Sequence, residues 1–282
     1  LTARILKWRA RMQFAETANG WLSYIKRLKP RTRIHYKMVI ERFTAFAPVY
    51  AHNLKAEHIE HYITHLLENY TNRTANAHLT ALKSFCRWLE DSHDVPNPCL
   101  EINMLDEDPP KVRVLNEDEY QKVLAVCKPK ELDVIRFLAN TGLRSSEFQN
   151  LTWDNISFDG KFIKLMIVKG RRPRLIPLNK TCKTILNNVS RKSNPTTMDF
   201  VKSYKSRDSL YRLCKKLARH AGIPTFGPHA LRHYFSTALY IKGVPVQFIS
   251  KILGHADTRT TERIYIHLWP PKDLLGVTDC LD

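Results

Sequence analysis

Residues 227–267 read GPHALRHYFSTALYIKGVPVQFISKILGHADTRTTERIYIH. Three short runs occur in it in order: His-Ala-Leu-Arg-His at 229–233, Leu-Gly-His at 253–255, and Tyr265 followed by Ile266 and His267. His229 and Arg232 are three apart, a spacing that a helix places on one face. Phe248, Ile249, Ile252 and Leu253 form an apolar turn ahead of Gly254, so that glycine reads as a helix C-cap and leaves His255 just past the helix end. Residues 258–267 read as another short helix, carrying Tyr265. A cation, two imidazoles and a phenol gathered in this way suit attack on a phosphodiester.

Working upstream, Thr141-Gly142-Leu143-Arg144-Ser145-Ser146-Glu147 supplies a second arginine. Between the two regions, 161–168 and 174–178 read as strands around the turn Lys169-Gly170-Arg171-Arg172-Pro173. Asn116 reads as the N-cap of a helix ending near Cys127, reinforced by Glu119. Residues 132–140 read as a buried helix ended by Thr141-Gly142, and a further helix begins near Arg144. Helices near 181–190 and 206–221 follow. Any one of these pieces is a weak signal. Thr-Gly-Leu-Arg-x-x-Glu, a hairpin lysine, His-x-Leu-Arg-His, Leu-Gly-His and a terminal tyrosine in this order are specific. Across residues 139–267 the chain resembles tyrosine site-specific recombinases of the phage integrase and Xer type.

The resemblance implies a fold class: mainly α with a small antiparallel β-sheet. It implies two domains, an N-terminal helical core-binding domain and a mixed α/β catalytic domain, that form a clamp around DNA. It also implies roles. Tyr265 is the nucleophile, and its phenol, with an ordinary pKa near ~10, must pass a proton to a neighbour. His229 is the base, and His255 donates to a phosphate oxygen or shares that task. Arg144 and Arg232 neutralise the non-bridging oxygens through planar forks that lysine cannot copy. Lys169 protonates the leaving 5′-oxygen. Arg171, Arg172 and Arg174 hold DNA instead, because a guanidinium hardly gives up its proton. Glu147, one turn past Arg144, orients that arginine. His233 packs or hydrogen-bonds structurally and His267 supports the Tyr265 helix, whereas Tyr211, Tyr234 and Tyr240 read as core packing.

The implied reaction is transesterification through a 3′-phosphotyrosyl link and a Holliday junction. The implied partners are double-stranded DNA core sites, further copies of the chain in a tetramer on two synapsed duplexes, and an accessory DNA-bending or directionality factor. No cofactor is expected: there is neither a Gly-x-x-x-x-Gly-Lys-Ser/Thr loop nor a carboxylate cluster for two metals. Two other readings share features with this one. A type IB topoisomerase-like nicking-closing enzyme uses the same residue set, and an architectural DNA-binding protein could use the same fold.

Composition sets the wider frame. Lys and Arg total 45 of 282 residues against 27 Asp and Glu, a net charge of +18 with a pI near 9.7. That is far beyond the roughly 2–8 charges that keep a small domain soluble, and it favours a polyanion. A membrane surface ranks lower as that anion, since no basic amphipathic anchor dominates and no apolar run approaches spanning length. The six cysteines, at 86, 99, 127, 182, 214 and 280, include no C-x-x-C pair. This argues against structural zinc or a disulfide framework and for buried thiols in a reducing cytosol. A cytoplasmic, DNA-associated protein is expected.

Residues 14–95 read as a helical domain, with candidate helices at 14–28, 32–47, 57–70 and 72–92. Its polar faces carry Lys29, Arg31, Arg33, Lys37, Arg42, Arg73, Lys83 and Arg87. Interleaved with Asn and Thr, these suit phosphate and groove contacts. His58, His61 and His65 have helical spacing for a metal, but no acid or cysteine completes a shell. Residues 1–13 (LTARILKWRARMQ) are Arg-rich and acid-free like a transit peptide. A DNA-contacting arm or helical extension fits the rest of the chain better. Residues 96–113, with Pro96, Pro98, Pro109, Pro110 and Asp106-Glu107-Asp108, read as a linker kept off DNA by its acids. The catalytic domain is expected at 114–268. The tail, 269–282, begins with Pro270-Pro271 and ends on Leu274, Leu275 and Val277, which are expected to dock on a neighbouring subunit.

Overall fold

The computed structural model describes residues 14–47, 49, 51–107, 113–166, 173–188, 198–206 and 208–254. Of the described residues 66% are helical, and the chain divides into two compact units, Leu1–Pro110 and Lys111–Asp282.

In the first unit, α1 (Phe14–Tyr24) runs into a single 3-10 turn, Ile25–Arg27. α2 (Pro30–Phe46) opens with proline at a position where a missing N–H costs nothing. α3 (Ala56–Leu67) and α4 (Asn72–His93) complete the set. α4 buries Ala75, Leu79, Leu82, Phe85, Cys86 and Leu89, the stripe that its three- and four-residue spacing dictates. Trp21 joins α1 to this core, stacking on Tyr36 at 5.6 Å and meeting Phe85 edge-on at 5.3 Å.

The first part of the stretch expected to be a linker packs on this core. Val95 and Cys99 are buried, with Ile102 and Leu105 packed on the same core. Asn76, only 4% exposed, donates to the Leu105 carbonyl at 2.8 Å and accepts the Leu105 N–H at 2.8 Å. The same amide donates to Glu107 Oε1 at 2.9 Å, and Arg73 holds Glu107 Oε2 at 3.0 Å. Proline forbids regular structure here but not burial, and four apolar side chains seal the segment down. Glu107 is thereby engaged by the first unit's own Arg73 and Asn76.

In the second unit, α5 (Glu117–Ala125) starts with the expected capping box: Glu119 N–H donates to Asn116 Oδ1 at 2.8 Å, and Asn116 N–H to Glu119 Oε2 at 3.1 Å. α6 (Pro129–Thr141) is the hub, packing against α5 and against three later helices, those that begin at Lys180, Asp199 and Pro228. After α7 (Ser145–Gln149), β1 (Phe162–Leu165) pairs antiparallel with β2 (Arg174–Pro177), from Phe162 opposite Pro177 to Leu165 opposite Arg174. α8 (Lys180–Asn188), α9 (Asp199–Lys202), α10 (Ser209–His220), α11 (Pro228–Ile241) and α12 (Val246–Leu253) follow. Phe200 of α9 meets Phe137 at 5.2 Å and Phe148 at 5.5 Å, both edge-on.

Candidate active site

Two helix ends form the floor of the site. α6 ends at Gly142 (φ 61°) and α12 at Gly254 (φ 65°), both in the left-handed conformation that glycine adopts without strain. A Cβ on Gly142 would lie 3.1 Å from Leu253 Cδ2, so the two ends are neighbours. Terminal carbonyls of helices lack intrahelical partners and carry partial negative charge, which makes them anchors for cations. Arg232, from α11 and 4% exposed, donates from Nη1 to the Gly142 carbonyl and from Nη2 to the Leu253 carbonyl, each at 2.6 Å. Arg144 donates from Nη2 to the next carbonyl, that of Gly254, at 3.1 Å. The two arginines named from sequence are thus held on consecutive carbonyls of one loop.

Glu147 completes the arrangement. Arg144 approaches it with Nη1 on Oε1 at 3.0 Å and its backbone N–H on Oε2 at 2.8 Å. Arg174 grips the same carboxylate from the sheet, Nη1 on Oε1 at 3.0 Å and Nη2 on Oε2 at 2.7 Å. Burial alone would raise the Glu147 pKa, but the bonds from Arg174 and from the Arg144 backbone, with both positive charges, bring it down to about 2. Arg174 was expected to hold DNA. Its side chain is instead 5% exposed, because β2 alternates and places Arg174 inward with Ile176 while Leu175 and Pro177 face out. That alternation was the signal in the sequence, obscured by the basic turn beside it.

His229, in the first turn of α11, is an exposed residue whose ring is partly covered, unlike the buried Arg232 on the same helix. Desolvation by the surrounding protein, then the charges of Arg232 and Arg144, lower its pKa, which favours the neutral imidazole a base requires. His233 lies edge-on to it at 6.3 Å, its pKa brought down to about 4 by burial, then by His229 and Arg232. Tyr234 stacks on Tyr120 at 4.2 Å and donates to Glu117 at 2.7 Å, a structural use. Tyr211, expected in the core, is 50% exposed. Lys169, Arg171, Arg172, His255, Tyr265 and His267 lie outside the described residues, as do residues 1–13 and the tail 269–282.

In the first unit, Arg31, Lys37 and Arg87 are exposed and Arg33 is half-buried. Lys37 has Glu41 at 3.7 Å, Arg73 is engaged by Glu107, and Lys83 is turned onto the Ile102 carbonyl. Among the described residues no group of three or more His, Cys, Asp or Glu is disposed to hold a metal, and no helix is long and apolar enough to cross a membrane.

Comparison with known proteins bears on the whole chain. The phage integrase family model matches residues 113–270, and the phage integrase N-terminal SAM-like domain matches residues 21–93. A tyrosine recombinase of Thermosipho africanus is 28% identical over 272 residues, covering 90% of this chain and 94% of that protein. Tyrosine recombinase XerD of Listeria innocua is 30% identical over 223 residues, covering 71% of this chain and 73% of its own length. In fold, the Tn1549 transposon integrase in complex with transposon right end DNA superposes with a TM-score of 0.74 at 21% identity, over 96% of this chain and 99% of that one. A lambda integrase dimer bound to a core site gives 0.70 at 16% identity, over 88% and 96%. With the two anchored arginines in place and a family match spanning more than half its length, the chain belongs to the phage integrase family of tyrosine site-specific recombinases.

Proposed function

We propose that this recombinase cuts and rejoins duplex DNA at a specific site through a phosphotyrosyl link on Tyr265. The observation that carries the reading is the pair of guanidiniums, Arg144 and Arg232, fixed on consecutive carbonyls at the meeting of two helix ends. Fixed donors of this kind stabilise charge that develops on a phosphate without reorganising during the reaction. The Tyr265 oxygen attacks phosphorus as His229 takes its proton. The bond to the 5′-oxygen breaks, and that oxygen receives a proton from Lys169. A 5′-hydroxyl from a partner duplex then attacks the ester and restores the phenol, so the phosphodiester energy is conserved and neither ATP nor metal takes part. His255 donates to a non-bridging oxygen.

The net charge of +18 and DNA in the solved structures of similar integrases support duplex core sites as the partner. Exposed Arg31, Lys37 and Arg87 belong to the first unit's phosphate contacts, and four copies of the chain on two synapsed duplexes exchange strands through a Holliday junction. The comparisons favour this reading over single-duplex nicking and closing or an architectural role. The test uses a duplex selected from a randomised pool by binding to the full chain. Wild type leaves an SDS-resistant adduct in EDTA without ATP, whereas Tyr265→Phe binds with unchanged affinity and leaves none. An adduct with Tyr265→Phe refutes the nucleophile. Two copies of the selected duplex on a plasmid then yield recombinants; relaxation alone refutes strand exchange.

A further inference from the structure

We propose that Arg174 is a positioning residue for strand cleavage, fixing the guanidinium of Arg144 by gripping the Glu147 carboxylate that anchors it and by lying against Gly254. The inference rests on the role given above to Arg144. Glu147, at 3.0 Å, and the Gly254 carbonyl, at 3.1 Å, both anchor that side chain. Arg174 binds the first and lies beside the residue that supplies the second. It binds the two carboxylate oxygens of Glu147 with its two terminal nitrogens, so the carboxylate cannot turn away from Arg144. It also lies along Gly254, where a Cβ would come within 2.8 Å of its Cδ and Nη1. The sheet is thereby tied to α7 and to the end of α12 by one planar group. At 5% exposure the guanidinium is turned inward, away from any phosphate on the surface. Lysine, a point charge on a flexible stem, satisfies one carboxylate oxygen but cannot hold both.

The experiment compares wild type, Arg174→Met, Arg174→Lys and Arg144→Met in single-turnover cleavage of the selected duplex. Each is also run on the same duplex with an uncharged methylphosphonate at the scissile position. Misplacing Arg144 by a fraction of its length is expected to lower the rate about 100-fold in Arg174→Met. The lysine variant, keeping the charge, recovers part of that loss. Affinity for the duplex and its salt dependence stay at wild-type values. On methylphosphonate the deficit of Arg174→Met shrinks at least ~10-fold, because the charge that Arg144 neutralises has been removed. A deficit of equal size on both substrates means that Arg174 only supports packing, and overturns the proposal. A salt slope lower by about 1 makes it a phosphate contact and also overturns it. If methylphosphonate relieves Arg144→Met but not Arg174→Met, this proposal fails alone. If it relieves neither, the role of Arg144 fails and takes this proposal with it. Should Arg174→Met not melt cooperatively, the lysine variant carries the same comparison.

Discussion

Replacing Gly142 with alanine separates two costs that the structure places at one residue. The first is backbone: at φ 61° an L side chain is strained by about 1 kcal/mol. The second is space. The new Cβ would lie 2.4 Å from Phe235 Cδ1, 3.0 Å from its Cε1 and 3.1 Å from Leu253 Cδ2. Forcing a methyl into such a contact costs about 2 kcal/mol more. Gly160 offers the control, since its φ is 65° with nothing within 4 Å of a built Cβ. For a unit of this size each kcal/mol moves the melting temperature by about 3 °C. Gly160→Ala is therefore expected to lose about 3 °C and Gly142→Ala about 9 °C, read by calorimetry at one scan rate. Because the Gly142 carbonyl holds Arg232 at 2.6 Å, Gly142→Ala also slows cleavage while Gly160→Ala does not. Equal losses from the two variants would refute the reasoning, since Phe235 would then be moving aside freely and the end of α6 would not be gripped.

Glu147 carries a pH dependence. Its carboxyl is depressed from 4.5 to about 2, so its contribution is complete above the unfolded value and disappears as pH falls toward the folded one. By about pH 3 roughly 2 kcal/mol is gone. Urea melts of wild type and Glu147→Gln should differ less by that amount at about pH 3 than at about pH 6; a constant difference shows that the carboxyl titrates normally. Asn76→Ala strips Leu105 of both its partners and is expected to cost about 2 kcal/mol. Hydrogen exchange at the Leu105 amide should quicken, and unchanged protection there argues against the clasp.

Local chemistry made much of the molecule legible. The Asn116–Glu119 box, the stripe of α4 and the glycine ending α12 each depend on residues a turn or so apart, and each lies where its spacing placed it. What escaped depends on distant partners. Arg174 pairs with a carboxylate 27 positions away, and its residue type next to Arg171 and Arg172 suggested DNA. The segment after α4 looks like a linker by its prolines and acids, while Val95, Cys99, Ile102 and Leu105 reveal their purpose only once a core stands beside them. α9, four residues long, is too short for periodicity to register. Its Phe200 is held by two aromatic rings rather than by helical propensity.

Three guanidiniums, those of Arg144, Arg174 and Arg232, gather near the ends of α6 and α12, with the Glu147 carboxylate gripped by two of them. Like charges at such range repel, and one carboxylate together with carbonyl dipoles offsets part of that repulsion. On the function proposed above, a phosphate held by Arg144 and Arg232 would relieve part of that repulsion. On that reading the duplex would contribute to the electrostatics of the site as well as serve as substrate. Bound duplex would then raise this unit's melting temperature, and by more the tighter it binds.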